Sequence, residues 1–182
     1  KLSSIKRLTA SEDYKDLQLH LHTNGQLFDE RAWRDLNLSG HVGAVQISID
    51  AAEADTYANV RRPGNFDRLL KNLAFLKRMR DEGQIQHLMF SMVVQDANYR
   101  EMPAFVKMGQ DFSADSVMFN MYRQRDVFSK SEYEDAFIGD PHHPDHAVEM
   151  PGGAFQSHHD VRIVGMAHMK ILSPRRGYGK DG

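Results

Sequence analysis

Cysteine is absent from all 182 residues. Disulfides, thiolate zinc sites, cysteine nucleophiles and cysteine-ligated iron–sulfur clusters each need that sulfur atom, so this chain alone can build none of them. Long apolar runs are missing too. No stretch reaches the roughly 18 apolar residues of a membrane-spanning helix, and the opening KLSSIKRLTA lacks the continuous apolar core of a signal peptide. The expectation is a soluble, cytoplasmic chain with no membrane partner. The third absence is an excess of one charge: 23 Lys and Arg face 25 Asp and Glu, a net charge of -2. The two signs are interspersed, so no basic field gathers nucleic acid, which is left out as a partner as well.

Apolar material is present in adequate amount. Hydrophobic side chains make up 41% of the sequence, enough for the core of one ordinary domain. Four segments, Leu17 to His22, Ala44 to Ile49, Leu88 to Val94 and Val117 to Met121, read as buried strands. Between the second and third, Phe66, Leu69, Leu70, Leu73, Leu76 and Met79 recur at helical spacing, which stacks them on one face. Asn65 suits the start of that helix and Gly83 its end. A shorter helix is expected from Asp29 to Asn37, and Pro103 suits the first turn of another from Met102 to Gln110.

Strand–helix alternation specifies parallel strands with right-handed crossovers. The expected fold class is therefore α/β: a partial, barrel-like parallel (β/α) sheet of about four strands with flanking helices, spanning residues 1–150. In the tail at 151–182, the run VRIVGMAHMKIL offers an extra C-terminal edge strand, and the Gly/Arg/Lys-rich end reads as disordered. Bare sheet edges invite pairing with another chain, so a homodimer through those edges is one expectation.

In a parallel α/β array, ligands gather where strands end and helices begin, because free backbone donors converge there. Thr23, Asn24 and Gly25 follow the first strand. Ser48 and Asp50 close the second, two apart and so on the same side of a strand. Val94, Gln95, Asp96 and Asn98 end the third, and Tyr122 to Arg125 follow the fourth. Each has an ordinary structural reading beside the ligand one. Thr-Asn-Gly is a good tight turn in its own right, Asn98 suits a turn or helix cap, and Arg61 and Arg62 beside Pro-Gly-Asn suit solvated loop cations.

Histidine offers a separate chemistry. His142, His143 and His146 in DPHHPDH, with Asp140 and Asp145, carry metal-ligand groups at short spacing. A metal-dependent hydrolase is the reading this would support. Against it, Pro141 and Pro144 force extended backbone and no helix fixes an HxxxH geometry. His20 and His22 alternate on one strand and face the same side, as packed or pocket-lining residues.

Taken in order, LHLHTNGQLF, then VQISIDAAEADTYANVRRPGNFDRLLKNLAFLKRMR, then MFSMVVQDANYREMPAFVKMG resemble the middle and later part of the radical S-adenosylmethionine (SAM) core. The resemblance covers roughly Leu17 to Met121, with a looser echo to about Met150. It is closest to members that carry a cluster-binding C-terminal extension and modify peptides or other natural products. It implies a partial (β/α)6 barrel in which Thr23 to Gly25 line the SAM pocket and Ser48 and Asp50 lie near its ribose and methionine part. Tyr57, Arg61, Gly64 and Phe66 match the family pattern whose arginine meets the SAM carboxylate. Val94 and Asn98 correspond to the approach of the fifth strand to adenine, and Met121 and Tyr122 to that of the sixth.

The departures are equally definite. The family's chemistry requires a CxxxCxxC loop holding a [4Fe–4S] cluster. That loop, the first two strands and the cysteines of the extension are all missing. The implied picture is a fragment or truncated member, starting at Lys1, with a remnant pocket that binds SAM weakly or not at all and is inactive in isolation. The [4Fe–4S] cluster and a peptide or small-molecule substrate belong only to a full-length parent. The alternative is a degenerate, non-catalytic module for binding or oligomerisation.

Overall fold

The computed structural model describes residues 2–121 and the backbone of a short strand at 162–165. Strands β1 (Leu19–Thr23), β2 (Val42–Ser48), β3 (Ile85–Val94), β4 (Ser116–Met121) and β5 (Arg162–Gly165) form a single sheet in the order β1-β2-β3-β4-β5. Every pairing is parallel. The α/β class and the extra C-terminal edge strand expected from the sequence are both present, with β5 in register beside β4. Among the described residues five α-helices accompany the strands: α1 (Leu2–Thr9), α2 (Glu30–Asp35), α3 (Ala54–Val60), α4 (Phe66–Asp81) and α5 (Met102–Asp111).

Sequential order in an all-parallel sheet means that every crossover steps in the same direction. With right-handed crossovers, α2 to α5 then lie on one face, as in a barrel wall, and among the described residues the opposite face carries no crossover helix. Burial follows this division. Val45, Ile47, Leu88, Phe90, Met92, Val117 and Phe119 are buried with Trp33, Leu69, Leu73, Leu76 and Phe105 of the helices. Each such side chain contributes about 1.5–3 kcal/mol of transfer free energy. Trp33 packs between Phe28, tilted at 6.1 Å, and Phe75, edge-on at 6.0 Å.

Local sequence explains the longest helix. Asn65 accepts a hydrogen bond from the Arg68 N–H at 2.8 Å, which caps the start of α4. Beyond its C-terminus, Gly83 turns the chain with φ 72°, a conformation glycine enters without a Cβ penalty. Asp29 caps α2 in the same way through the Ala32 N–H, and that helix is shorter than expected because Asn37 adopts φ 51°. Helix α1 was not expected as an element, and a helix following Asp55, the place of α3, was raised only as one for Ser48 or Asp50 to cap. Thr9 ties the end of α1 to the Leu36 carbonyl at 2.7 Å, a long-range contact that local sequence does not announce.

At the amino ends of the strands, the Asp115 carboxylate takes a forked pair of hydrogen bonds from Arg80, at 2.7 and 2.5 Å, and one from the Leu88 N–H at 2.7 Å. One side chain thereby joins α4, β3 and β4, and leaves the carboxyl ends to do something else.

Candidate functional site

The carboxyl ends of β1, β2 and β3 bring most of the expected residues together. After β1, the Gly25 N–H donates to Thr23 Oγ1 at 3.2 Å and the Gln26 N–H to Asn24 Oδ1 at 3.1 Å. These are side-chain-closed turns of the kind Asn and Thr favour. Gly25 has φ 74°, and a Cβ there would stand 2.8 Å from Leu69 Cδ1. Both the backbone angle and the space require glycine. Asn72 of α4 is buried and donates to the carbonyls of Gly25 and Gln26 at 2.7 and 3.1 Å. Gln26 in turn donates to the Tyr57 hydroxyl at 2.9 Å and the Asn65 carbonyl at 3.0 Å.

After β2 and β3 stands a tighter knot. Asp50 is buried with φ 67°, an angle aspartate tolerates better than most residues. Its Oδ1 accepts from the Val93 N–H at 2.8 Å and its Oδ2 pairs with Arg61 Nη2 at 2.6 Å. Asn98, also buried, donates to the carbonyls of Asp50 and Val93 at 2.8 and 2.9 Å and accepts from the Gln95 N–H at 2.9 Å. Burial pushes the Asp50 carboxyl above its ordinary range, and the Arg61 charge and Val93 N–H pull it back only in part. Arg61 is not a solvated loop cation: its side chain is 28% exposed, and its Nε is buried without a hydrogen-bond partner.

Ser48 belongs to a different row, on the side of the sheet opposite α2 to α5. His22 Nε2 and Ser48 Oγ share a hydrogen bond of 2.7 Å, and Ser91 Oγ lies 3.4 Å from Ser48 Oγ. Val94 ends β3 with its side chain in the core. Gly64 packs against Tyr57, whose ring a Cβ at Gly64 would meet at 2.5 Å.

No protein-family model matches the chain. No curated protein matches it either.

Gln26, Asn72, Ser91 and Glu101 escaped the sequence reading. Glu101 accepts the Ala52 and Glu53 N–H groups at 2.6 and 3.1 Å and so fixes the loop that leaves Asp50. Its only sequence signal is a carboxylate shortly before Pro103, indistinguishable from a helix-start charge. Tyr122, His142, His143 and His146 lie outside the described residues. Among the described residues no cluster of His, Asp and Glu is arranged to hold a metal ion, and no helix is long and apolar enough to cross a membrane.

The donor set does not fit an iron–sulfur cluster, because the sequence holds no thiolate. The Arg61 Nε–H is a buried donor without a hydrogen-bond partner among the described residues.

Proposed function

We propose that this chain is the later part of a radical SAM-type core, whose carboxyl-end pocket takes the SAM amino-acid group and adenosine and which is inactive in isolation. The observation that carries this reading is the Asp50–Arg61–Asn98 knot at the carboxyl ends of neighbouring parallel strands, with one buried Arg61 donor unanswered. Asp50 neutralises and orients the guanidinium, and Asn98 ties the β3 loop to the Asp50 backbone. A ligand carboxylate would meet a preformed donor instead of a mobile side chain.

The reading requires the cluster thiolates to come from outside these 182 residues. Without them SAM keeps only the contacts of this face, so binding is on the order of millimolar. Titrating isotope-labelled chain with SAM, followed by NMR, tests it. Signals of Asp50, Arg61, Val94 and Asn98 shift saturably, and Arg61→Gln abolishes the shifts. Signals at these positions that stay fixed at several-fold excess over that range overturn the reading.

A further inference from the structure

Arg61 stands in the loop that joins α3 to α4, and a long side chain keeps one position only if the backbone beneath it does. Its pairing with Asp50 runs through Nη2 at 2.6 Å, a single contact about which the side chain can pivot. The direction of Nε is then decided by where the loop itself is held. The near end is fixed by the Arg61 N–H, which donates to the Tyr57 carbonyl at 2.9 Å. Beyond it the chain folds back: the Gly64 N–H donates to the Arg61 carbonyl, and a Cβ at Gly64 would stand 2.5 Å from that oxygen and from the Tyr57 ring.

The far end is held by a side chain from another part of the sheet. Gln26 Oε1 accepts from the Asn65 N–H at 3.1 Å and Gln26 Nε2 donates to the Asn65 carbonyl at 3.0 Å. The carboxamide thus pairs with this backbone on both its groups, as a neighbouring strand would. Nε2 also donates to the Tyr57 hydroxyl at 2.9 Å, so one side chain grips both ends of the stretch that carries Arg61. Gln26 is itself placed by the turn after β1. Its N–H donates to Asn24 Oδ1 and its carbonyl accepts from the buried Asn72. Thr23 and Asn24 close that turn with their own oxygens, and Gly25 leaves no room for a Cβ beside Leu69.

We propose that Gln26 is the positioning residue for Arg61: through Asn65 and Tyr57 it sets where the guanidinium stands beside Asp50, so that the turn after β1 and the Arg61 loop act as one unit. The inference rests on the reading above in taking Arg61 as the group that meets a ligand carboxylate. It gives the Thr23 to Gly25 turn a part in that site that needs no contact with the ligand.

The buried Arg61 Nε–H reports its own position by NMR in the ligand-free chain. Gln26→Met keeps the volume of the side chain and removes all three bonds. Its Arg61 Nε–H signal shifts and broadens, while signals from the amino half of β3 and the last turn of α4 stay in place. Gln26→Asn retains the carboxamide one methylene shorter and moves the signal part of the way. Arg80→Ala, a destabilising change at the opposite end of α4, leaves it unmoved. An Arg61 Nε–H signal unchanged in Gln26→Met, or displaced equally by Arg80→Ala, overturns the positioning role. Titration with SAM adds the ligand: Gln26→Met requires several-fold more SAM than wild type for the same shifts at Asp50 and Asn98, and equal affinity overturns the role as well. A wild-type chain that gives no SAM shifts sinks the SAM reading alone, because the ligand-free comparison still decides the part played by Gln26.

Discussion

Asp50 concentrates the stability questions at the residue scale. It holds the Val93 N–H and Arg61 at once from a buried, left-handed position. Asp50→Asn keeps an acceptor and tolerates the backbone angle but leaves the guanidinium without its counter-charge, at a cost of about 1–3 kcal/mol. Asp50→Ala loses the acceptor as well and is expected to cost more, about 3–5 kcal/mol, both read from urea unfolding. The pH dependence has a sign. Because burial holds the Asp50 carboxyl above its ordinary value, its contribution to stability is present below the unfolded pKa and is lost as pH rises through the folded one. Asp115 behaves oppositely. Burial raises its carboxyl, but the Arg80 fork and the Leu88 N–H outweigh that and leave it below its ordinary value. Its contribution is present above the unfolded pKa and is lost as pH falls through the folded one. Unfolding midpoints from about pH 3 to about pH 7 should therefore show the acid limb flattened by Asp115→Asn, and the decline at higher pH removed by Asp50→Asn.

Between elements, two contacts decide how the helices sit on the sheet. Gly25→Ala forces a Cβ into Leu69 at 2.8 Å and Ile47 at 3.1 Å while retaining φ 74°, so α4 and the end of β2 must yield. The expected loss is about 1–3 kcal/mol, and thermal unfolding of the variant measures it. Arg80→Ala frees Asp115 at the opposite end of α4 and costs a comparable amount, about 1.5–3 kcal/mol, since it removes charge-assisted bonds. These elements also show what the sequence discloses. Helix α4 was legible to within two residues because its apolar period, the Asn65 cap and Gly83 all lie within it or beside it. Its strand neighbours were legible because β2 and β3 are uncharged and mostly apolar. The turn chemistry of Thr23 to Gly25 was legible as well, since it is local. Glu101, Asn72 and Gln26 were not, because their partners lie 31 to 49 residues away, and a lone Gln or Glu looks the same in a solvated loop. The pairing of Asp50 with Arg61 falls between: the residues could be singled out, but only the folded loop reveals that they answer each other.

For the whole molecule, the sequential order of the strands has a consequence for association. A sheet wound in one direction has two edges, and among the described residues β1 pairs only with β2. Its sequence, LHLHT, contains none of the Lys or Pro guards with which proteins blunt an exposed edge. A neutral five-residue edge of alternating leucine and histidine can take another strand without a desolvated charge. The expected outcome is concentration-dependent self-association through β1, measured by light scattering across a dilution series. His20→Lys combined with His22→Lys sets positive charge along that edge and shifts the mass towards monomer, and removes the His22–Ser48 hydrogen bond as well. A wild-type chain that remains monomeric at every concentration overturns the self-association, and a double variant that associates as strongly as wild type places the contact elsewhere than β1.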